Sequence, residues 1–371
     1  MIKVEPQIAL FSFKKENHIW LNNMYKVTST ESHNEKATDF ETKAMLYLLN
    51  YCKNSNEIHW VVVDFFNDVT GINTTQTSCI DLQSKGVKDI CPSGLGKYSV
   101  TLFKNYLSEF DFKDYILFIE GVSKTIYDQI HGDKSFTIND LDKPTINSII
   151  NGLKKEAKKK TYIEDKTRIT TPIIRNFLKN VTFVIDSHTK EEYIKDAVNY
   201  NSSIEVEDAK LRKIFKELRD KQASKKNNDG DGEEIEAISS FIYYDKYLRV
   251  DDIHLLILNR ICFKDFLNNI TAVPKYFSDI YSKIDETRRD EILEECYSSI
   301  MRILMNNNNR THFWILFEEI VKELINDKSK KVDDIYDKID KSTFDKLVFL
   351  DALSCKYLIA LLKERIIDDK N

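Results

Sequence analysis

The chain has 371 residues, enough for one large domain or two ordinary ones, and 42% of them are hydrophobic, so a sizeable core can be buried. Nine glycines and five prolines are too few for a collagenous or loop-dominated fold. The charged fraction of 31% lies below that of a disordered acidic chain, and the net charge of −5 gives no overall basic excess. Contact with nucleic acid therefore needs a local basic surface.

Residues 1–20 lack a basic stretch followed by an apolar core and a small-residue cleavage site. No apolar run approaches the ~20 residues needed to span a bilayer. The best candidate, near Leu347–Leu362, is broken by Asp351 and Lys356. Six scattered cysteines without a C-x-x-C pair argue against a disulfide framework or structural zinc and suit a reducing compartment. The expectation is a cytoplasmic chain with no membrane partner.

After an initial IALFSF run (Ile8–Phe13), helical spacing of Phe40, Ala44, Met45, Leu48 and Leu49 predicts a helix from Asp39 to about Lys53. Thr38 and Glu41 form a T-x-x-E capping box at its start. Ile58–Phe66, rich in β-branched and aromatic residues, predicts a strand. A turn-rich segment containing Asn67, Gly71 and Asn73 leads to a second strand, Cys79–Lys85. There Cys79, Asp81, Gln83 and Lys85 share one face, with Ile80, Leu82 and Ser84 on the other. A helix over Gly94–Glu109, a strand at Tyr115–Glu120, a helix over Thr145–Lys160 and a strand at Asn180–Asp186 follow. This alternation is that of an α/β or α+β domain, placed at residues 1–200. Residues 201–371 read as mainly helical, with a mobile polar linker near 223–236.

The constellation with most chemical content is Asp68 followed by Asp81-Leu82-Gln83-Ser84-Lys85. Phosphodiester hydrolysis needs a divalent cation held by oxygen ligands, an activated water and neutralisation of transition-state charge. Asp68 offers a carboxylate, with Asp81 a less certain second; Gln83 offers an amide carbonyl, and Lys85 an ammonium on the same strand face. Mg²⁺ or Mn²⁺ suits such an oxygen set. The same alternation also describes a solvated sheet face. Asp64 competes with Asp68 for the ligand role, and Glu41 is either a helix-borne third carboxylate or only a capping residue. Lys154, Lys155, Lys158 and Lys159 cluster on a predicted helix, as a DNA-backbone contact or as a plain solvated face. The DGDG at Asp229–Gly232 fails the register of a calcium loop. His188 has no matching nucleophile elbow, and Gly94–Gly96 lacks phosphate-loop spacing.

Acid, gap, acid-or-Gln, one residue, Lys is the pattern of the PD-(D/E)xK nuclease superfamily. DVTGINTTQTSCIDLQSKG (Asp68–Gly86), followed by GLGKYSVTLFKNYLSEFDFKDYILFIEGV (Gly94–Val122), resembles the double-stranded-DNA nuclease domain of bacterial anti-phage proteins. The similarity covers about residues 36–200. It implies a restriction-endonuclease-like fold, Asp68 and Lys85 as core catalytic residues, Gln83 where an acid usually stands, and Glu41 as the helix-borne acid. Family members occur fused to cyclic-nucleotide sensor domains or encoded beside HerA-type ATPases. No sensor domain is recognisable in the second half, so the resemblance implies a HerA-type hexameric ATPase as partner. The helical half is expected to serve homo-oligomerisation or partner docking. The rival reading is a DNA-binding or assembly subunit that has lost metal affinity at Gln83, and a third is an effector triggered by a small signal molecule.

Overall fold

A computed structural model of the chain describes residues 25–27, 35–226, 230–262 and 273–368. Its strands are β1 (Tyr25–Lys26), β2 (Ile58–Val63), β3 (Val69–Asn73), β4 (Cys79–Lys85), β5 (Phe112–Ile119), β6 (Ser135–Phe136), β7 (Val181–Ile185), β8 (Glu234–Ile235) and β9 (Tyr247–Arg249). Seven of them form one mixed sheet in the order β6-β7-β5-β4-β3-β2-β9. β2, β3 and β4 make an antiparallel meander, β4, β5 and β7 run parallel, and β6 and β9 are antiparallel edges. β1 and β8 pair separately.

The helices of the first half are α1 (Glu35–Asn50), α2 (Pro92–Tyr98), α3 (Val100–Tyr106), α4 (Lys124–Gln129), α5 (Lys143–Lys159), α6 (Thr171–Leu178) and α7 (Lys190–Ala197). After them come α8 (Asp208–Ser224), α9 (Val250–Cys262), α10 (Ser278–Tyr281), α11 (Arg289–Met305), α12 (Asn307–Asn326), α13 (Val332–Tyr336), α14 (Lys341–Asp345) and α15 (Ala352–Asp368). No helix among the described residues is long and apolar enough to cross a membrane.

The fold is mixed α/β with a helical C-terminal part, and alternation along β4 explains its layers. Ile80 and Leu82 pack with Ala44, Met45 and Leu48 of α1, in a core that also takes Phe215 of α8 and Trp314 of α12. Cys79 on the opposite face joins Leu95, Phe103, Ile149 and Phe177 from α2, α3, α5 and α6. α2 and α5 meet backbone to backbone: a Cβ on Gly96 would lie 1.9 Å from the Ile149 carbonyl oxygen, and one on Gly152 2.1 Å from that of Ser93. Gly96 therefore serves helix contact.

Several boundaries differ from the sequence expectation. α1 begins at Glu35, so Thr38 is already helical and its carbonyl accepts from the Thr42 hydroxyl at 2.9 Å. The capping box at Thr38 is thus not formed; Glu35, Lys36 and Ala37, good helix formers, carry the helix further back. The expected strand Ile58–Phe66 ends at Val63, because Asp64 adopts a left-handed conformation (φ 50°) and turns the chain into β3. β3 occupies the segment expected to be a turn. Its Gly71 admits Ile58 of the neighbouring strand, whose Cδ1 would stand 2.8 Å from an added Cβ. The helix expected over Gly94–Glu109 breaks at Ser99, whose hydroxyl bonds back to the Leu95 carbonyl at 2.8 Å.

The expected division at residue 200 does not separate two cores. β9 closes the sheet edge against β2, and one apolar cluster runs from Ala44 to Leu362. The Trp314 indole donates to the Val198 carbonyl at 2.9 Å across the same boundary. Of the expected linker near 223–236, the first residues belong to α8, which runs to Ser224, and Glu234–Ile235 pairs with Tyr25–Lys26 as β8. Positions 227–229, with Asp229 of the DGDG, lie outside the described residues.

Candidate active site

The left-handed turn at Asp64 brings the chain back so that Asp68 precedes β3 directly, and β3 pairs with β4 through Val69 opposite Leu82. Asp68 thereby reaches Gln83 and Ser84 on the next strand. Its Oδ2 accepts from Gln83 Nε2 at 2.5 Å, from the Ser84 amide at 2.8 Å and from the Ser84 hydroxyl at 2.8 Å. Hydrogen bonds to a carboxylate are short and strong, so three of them fix this group in orientation. Asp64, the competing ligand, lies in the turn itself. Its carbonyl receives Lys246 Nζ at 2.9 Å, and Lys246 is fully buried.

Gln83 is oriented from both ends. While Nε2 donates to Asp68, Oε1 accepts from the Thr101 hydroxyl of α3 at 2.5 Å. Lys85, half-buried at the end of β4, shares with Gln83 a cavity of about 210 Å³. Lys97, Tyr98 and Thr101 line one side of it, and Glu156, Lys160 and Tyr162 the other. Lys160 pairs with Glu156 at 3.3 Å.

Asp81 belongs to the floor rather than the cavity. It is fully buried, and its oxygens accept from Asn105 Nδ2 at 2.6 Å, Thr70 Oγ1 at 3.3 Å and Asn67 Nδ2 at 3.4 Å. Burial lifts its carboxyl from 3.8 to about 7, against the pull of these donors and with a small push from Asp68. Asn105 also accepts from the Tyr25 hydroxyl at 2.8 Å, and Lys104 Nζ donates to Tyr25 Oη at 3.2 Å. Burial lowers Lys104 to about 8.

Glu41 projects from α1, on the face of the sheet opposite α3, and its buried carboxylate is ion-paired with Lys226 just beyond α8. The lysine run lies on α5: Lys155, Lys158 and Lys159 are exposed, and Lys154 is half-buried. It adjoins the Gln83–Lys85 cavity through Glu156 and Lys160. The structure thus brings Asp68, Gln83 and Lys85 together, sets the α5 lysines beside them and ties Glu41 to Lys226. His188 stacks on Tyr51 at 4.7 Å.

Among the described residues no three His, Cys, Asp or Glu side chains group as a metal site. A site with Gln83 in the acid position offers only Asp68 and an amide oxygen. That set suits Mg²⁺ or Mn²⁺, which take one or two carboxylates and keep several waters. One cation can be shared by both only if the Gln83 amide turns over, bringing Oε1 to Asp68. Thr101 then accepts instead of donating, and the bond from Gln83 Nε2 to the Ser84 carbonyl, 3.2 Å, is given up. Sequence reasoning missed Ser84, because its place on the opposite strand face looked inert, and Thr101, which no local pattern connects to Gln83. Comparison of the chain with protein-family models, curated proteins and solved structures finds no match.

Proposed function

We propose that the chain is a metal-dependent DNA endonuclease whose site is Asp68, Gln83 and Lys85. The observation that carries this reading is the contact of Asp68 with Gln83, which shares a lysine-lined cavity with Lys85 two residues further along β4. Asp68 and Gln83 hold Mg²⁺ or Mn²⁺, which supplies an activated water and Lewis acidity when bound. Lys85 neutralises charge on the pentavalent phosphorus, and its half-buried position strengthens that interaction relative to water. Lys97 and Lys160 bind the flanking phosphates, with Lys154, Lys155, Lys158 and Lys159 extending the track along α5. A restriction-endonuclease-like identity is supported by the order of helix, three-stranded meander, helix and parallel strand. Action in anti-phage defence, self-assembly and a HerA-type ATPase partner rest on the resemblance of Asp68–Gly86 and Gly94–Val122 alone.

A second reading, a DNA-binding or assembly subunit with weak or no catalysis, is favoured by two contacts. Gln83 turns its nitrogen toward Asp68, and Lys226 occupies the Glu41 carboxylate. Incubating plasmid and linear DNA with Mg²⁺ or Mn²⁺ separates the two, wild type beside Lys85→Ala, each alone and with the ATPase. Cleavage lost in the variant supports the nuclease. A folded wild-type protein that retains DNA and cuts it under no condition supports the subunit.

A further inference from the structure

Away from the Asp68 site, a polar cavity of about 240 Å³ lies where α1, α7, α9 and α12 meet. Arg310 and His254 form part of its wall, and both are at least nine-tenths buried, with 2% and 8% of their surface exposed. Arg310 is held by two helix ends. Its Nε donates to the Leu304 carbonyl at 2.8 Å, and Nη1 to the Ala197 carbonyl at 3.1 Å. These carbonyls sit at the C-terminal ends of α11 and α7, where the helix dipole is negative, so they orient the guanidinium and carry only partial charge. Nη2 donates to His254 Nδ1 at 3.0 Å.

Two consequences follow from that third bond. His254 accepts at Nδ1, so its proton is on Nε2, and the ring presents a second donor. Burial and the Arg310 charge hold the imidazole neutral, down to about 3. Arg310 uses three of its five N–H groups, and the other two have no partner among the described residues. No described carboxylate is ion-paired with it; Asp251 acts on it only from longer range. A buried cation without an ion-pair partner is costly, and an anion beside it removes that cost.

We propose that this cavity binds a small molecule bearing one anionic group, carboxylate or phosphate monoester, with hydroxyl or amino donors on the rest of it. Arg310 takes the anion through its two unused N–H groups, and the His254 Nε2–H, on the side of the ring away from Arg310, donates to a hydroxyl on the rest of the molecule. Glu57, Asp196 and Asp251, which also line the cavity, accept from the donors and disfavour polyanions. The volume lies below the usual range for drug-sized ligands, ~300–1,000 Å³, and excludes a polynucleotide. The site is independent of the nuclease reading, since none of its residues touches Asp68, Gln83 or Lys85 in the contacts above.

The test is calorimetric titration of the full chain with three probes: glycerol 3-phosphate, glycerate and glycerol. Saturable binding of one or both anions, and none of glycerol, is expected; which anion binds more tightly identifies the headgroup. Two variants accompany wild type. Arg310→Lys keeps the charge and loses the fork. Asn56→Trp, at an exposed residue of the rim, fills the entrance and leaves Arg310 and its helix contacts in place. Each is expected to weaken binding at least about tenfold, equivalent to ~1.4 kcal/mol. No saturable binding of either anion overturns the proposal. So does equal binding of glycerol, or undiminished binding by a folded Asn56→Trp protein.

Discussion

Replacing Asp81 with asparagine should make the protein more stable at alkaline pH. The carboxyl is fully buried, and burial carries it from 3.8 to about 7 despite donors from Asn105, Asn67 and Thr70. A folded-state value above the unfolded one means that the native state binds the proton more tightly. Stability therefore falls as pH rises from about 4 to about 7 and levels off above. At about 1.4 kcal/mol for each pH unit, the penalty above pH 7 is roughly 4 kcal/mol, a large share of a typical domain's stability of ~5–15 kcal/mol. Asparagine removes the charge and keeps the network: its oxygen accepts from Asn105 and Asn67, and its amide donates to the Thr70 hydroxyl, which turns to accept. Urea unfolding of wild type and Asp81→Asn between pH 4 and pH 8 reads the difference directly. The variant should gain roughly 2–4 kcal/mol at pH 8, with the gain shrinking toward zero at pH 4. A variant no more stable than wild type at pH 8, or a difference that does not change with pH, refutes the reasoning. DNA cleavage should survive this substitution, since Asp81 faces the floor network and not the cavity.

Gly96→Ala should cost at least ~3 kcal/mol of stability in denaturant unfolding, because its Cβ would lie 1.9 Å from the Ile149 carbonyl oxygen and α2 must move off α5. Lys246→Ala should cost ~2–3 kcal/mol by the same measurement, through loss of a fully buried side chain and of its bond to the Asp64 carbonyl; an unchanged midpoint would show that the Asp64 turn holds itself. Gln83→Glu should lower the melting temperature of metal-free protein by setting two carboxylates side by side. The same variant should gain more than wild type from Mn²⁺ in a thermal shift and cut DNA faster.

Much of the sheet was legible because β4 alternates cleanly and β5 and β7 are short apolar runs. Cys79–Lys85 was read at its observed bounds, whereas the contact of Asp68 with Gln83 comes through β3, which the reading did not contain. β3 was hidden because Val69–Asn73 carries Gly71 and Asn73, residues that mark turns. Only the packing of Ile58 explains the glycine. β9 was hidden for a different reason: Tyr247–Arg249 is three residues long, sits among helical sequence and becomes a strand through the edge β2 offers. Glu41 illustrates the limit of local signals. Its helix was legible, whereas its partner Lys226 lies far along the chain and is brought near by the packing of α8 on α1. In the helical half, Phe313, Trp314 and Phe317 are buried.

The central claim is a metal centre built on Asp68 and Gln83, and direct Mn²⁺ binding tests it without requiring a partner or a trigger. Free Mn²⁺ would be followed by electron paramagnetic resonance as it is titrated into wild type, Asp68→Asn and Lys85→Ala. The account predicts one saturable Mn²⁺ site per chain, lost in Asp68→Asn and kept in Lys85→Ala. No saturable site in wild type, or a site that survives Asp68→Asn unchanged, would contradict it.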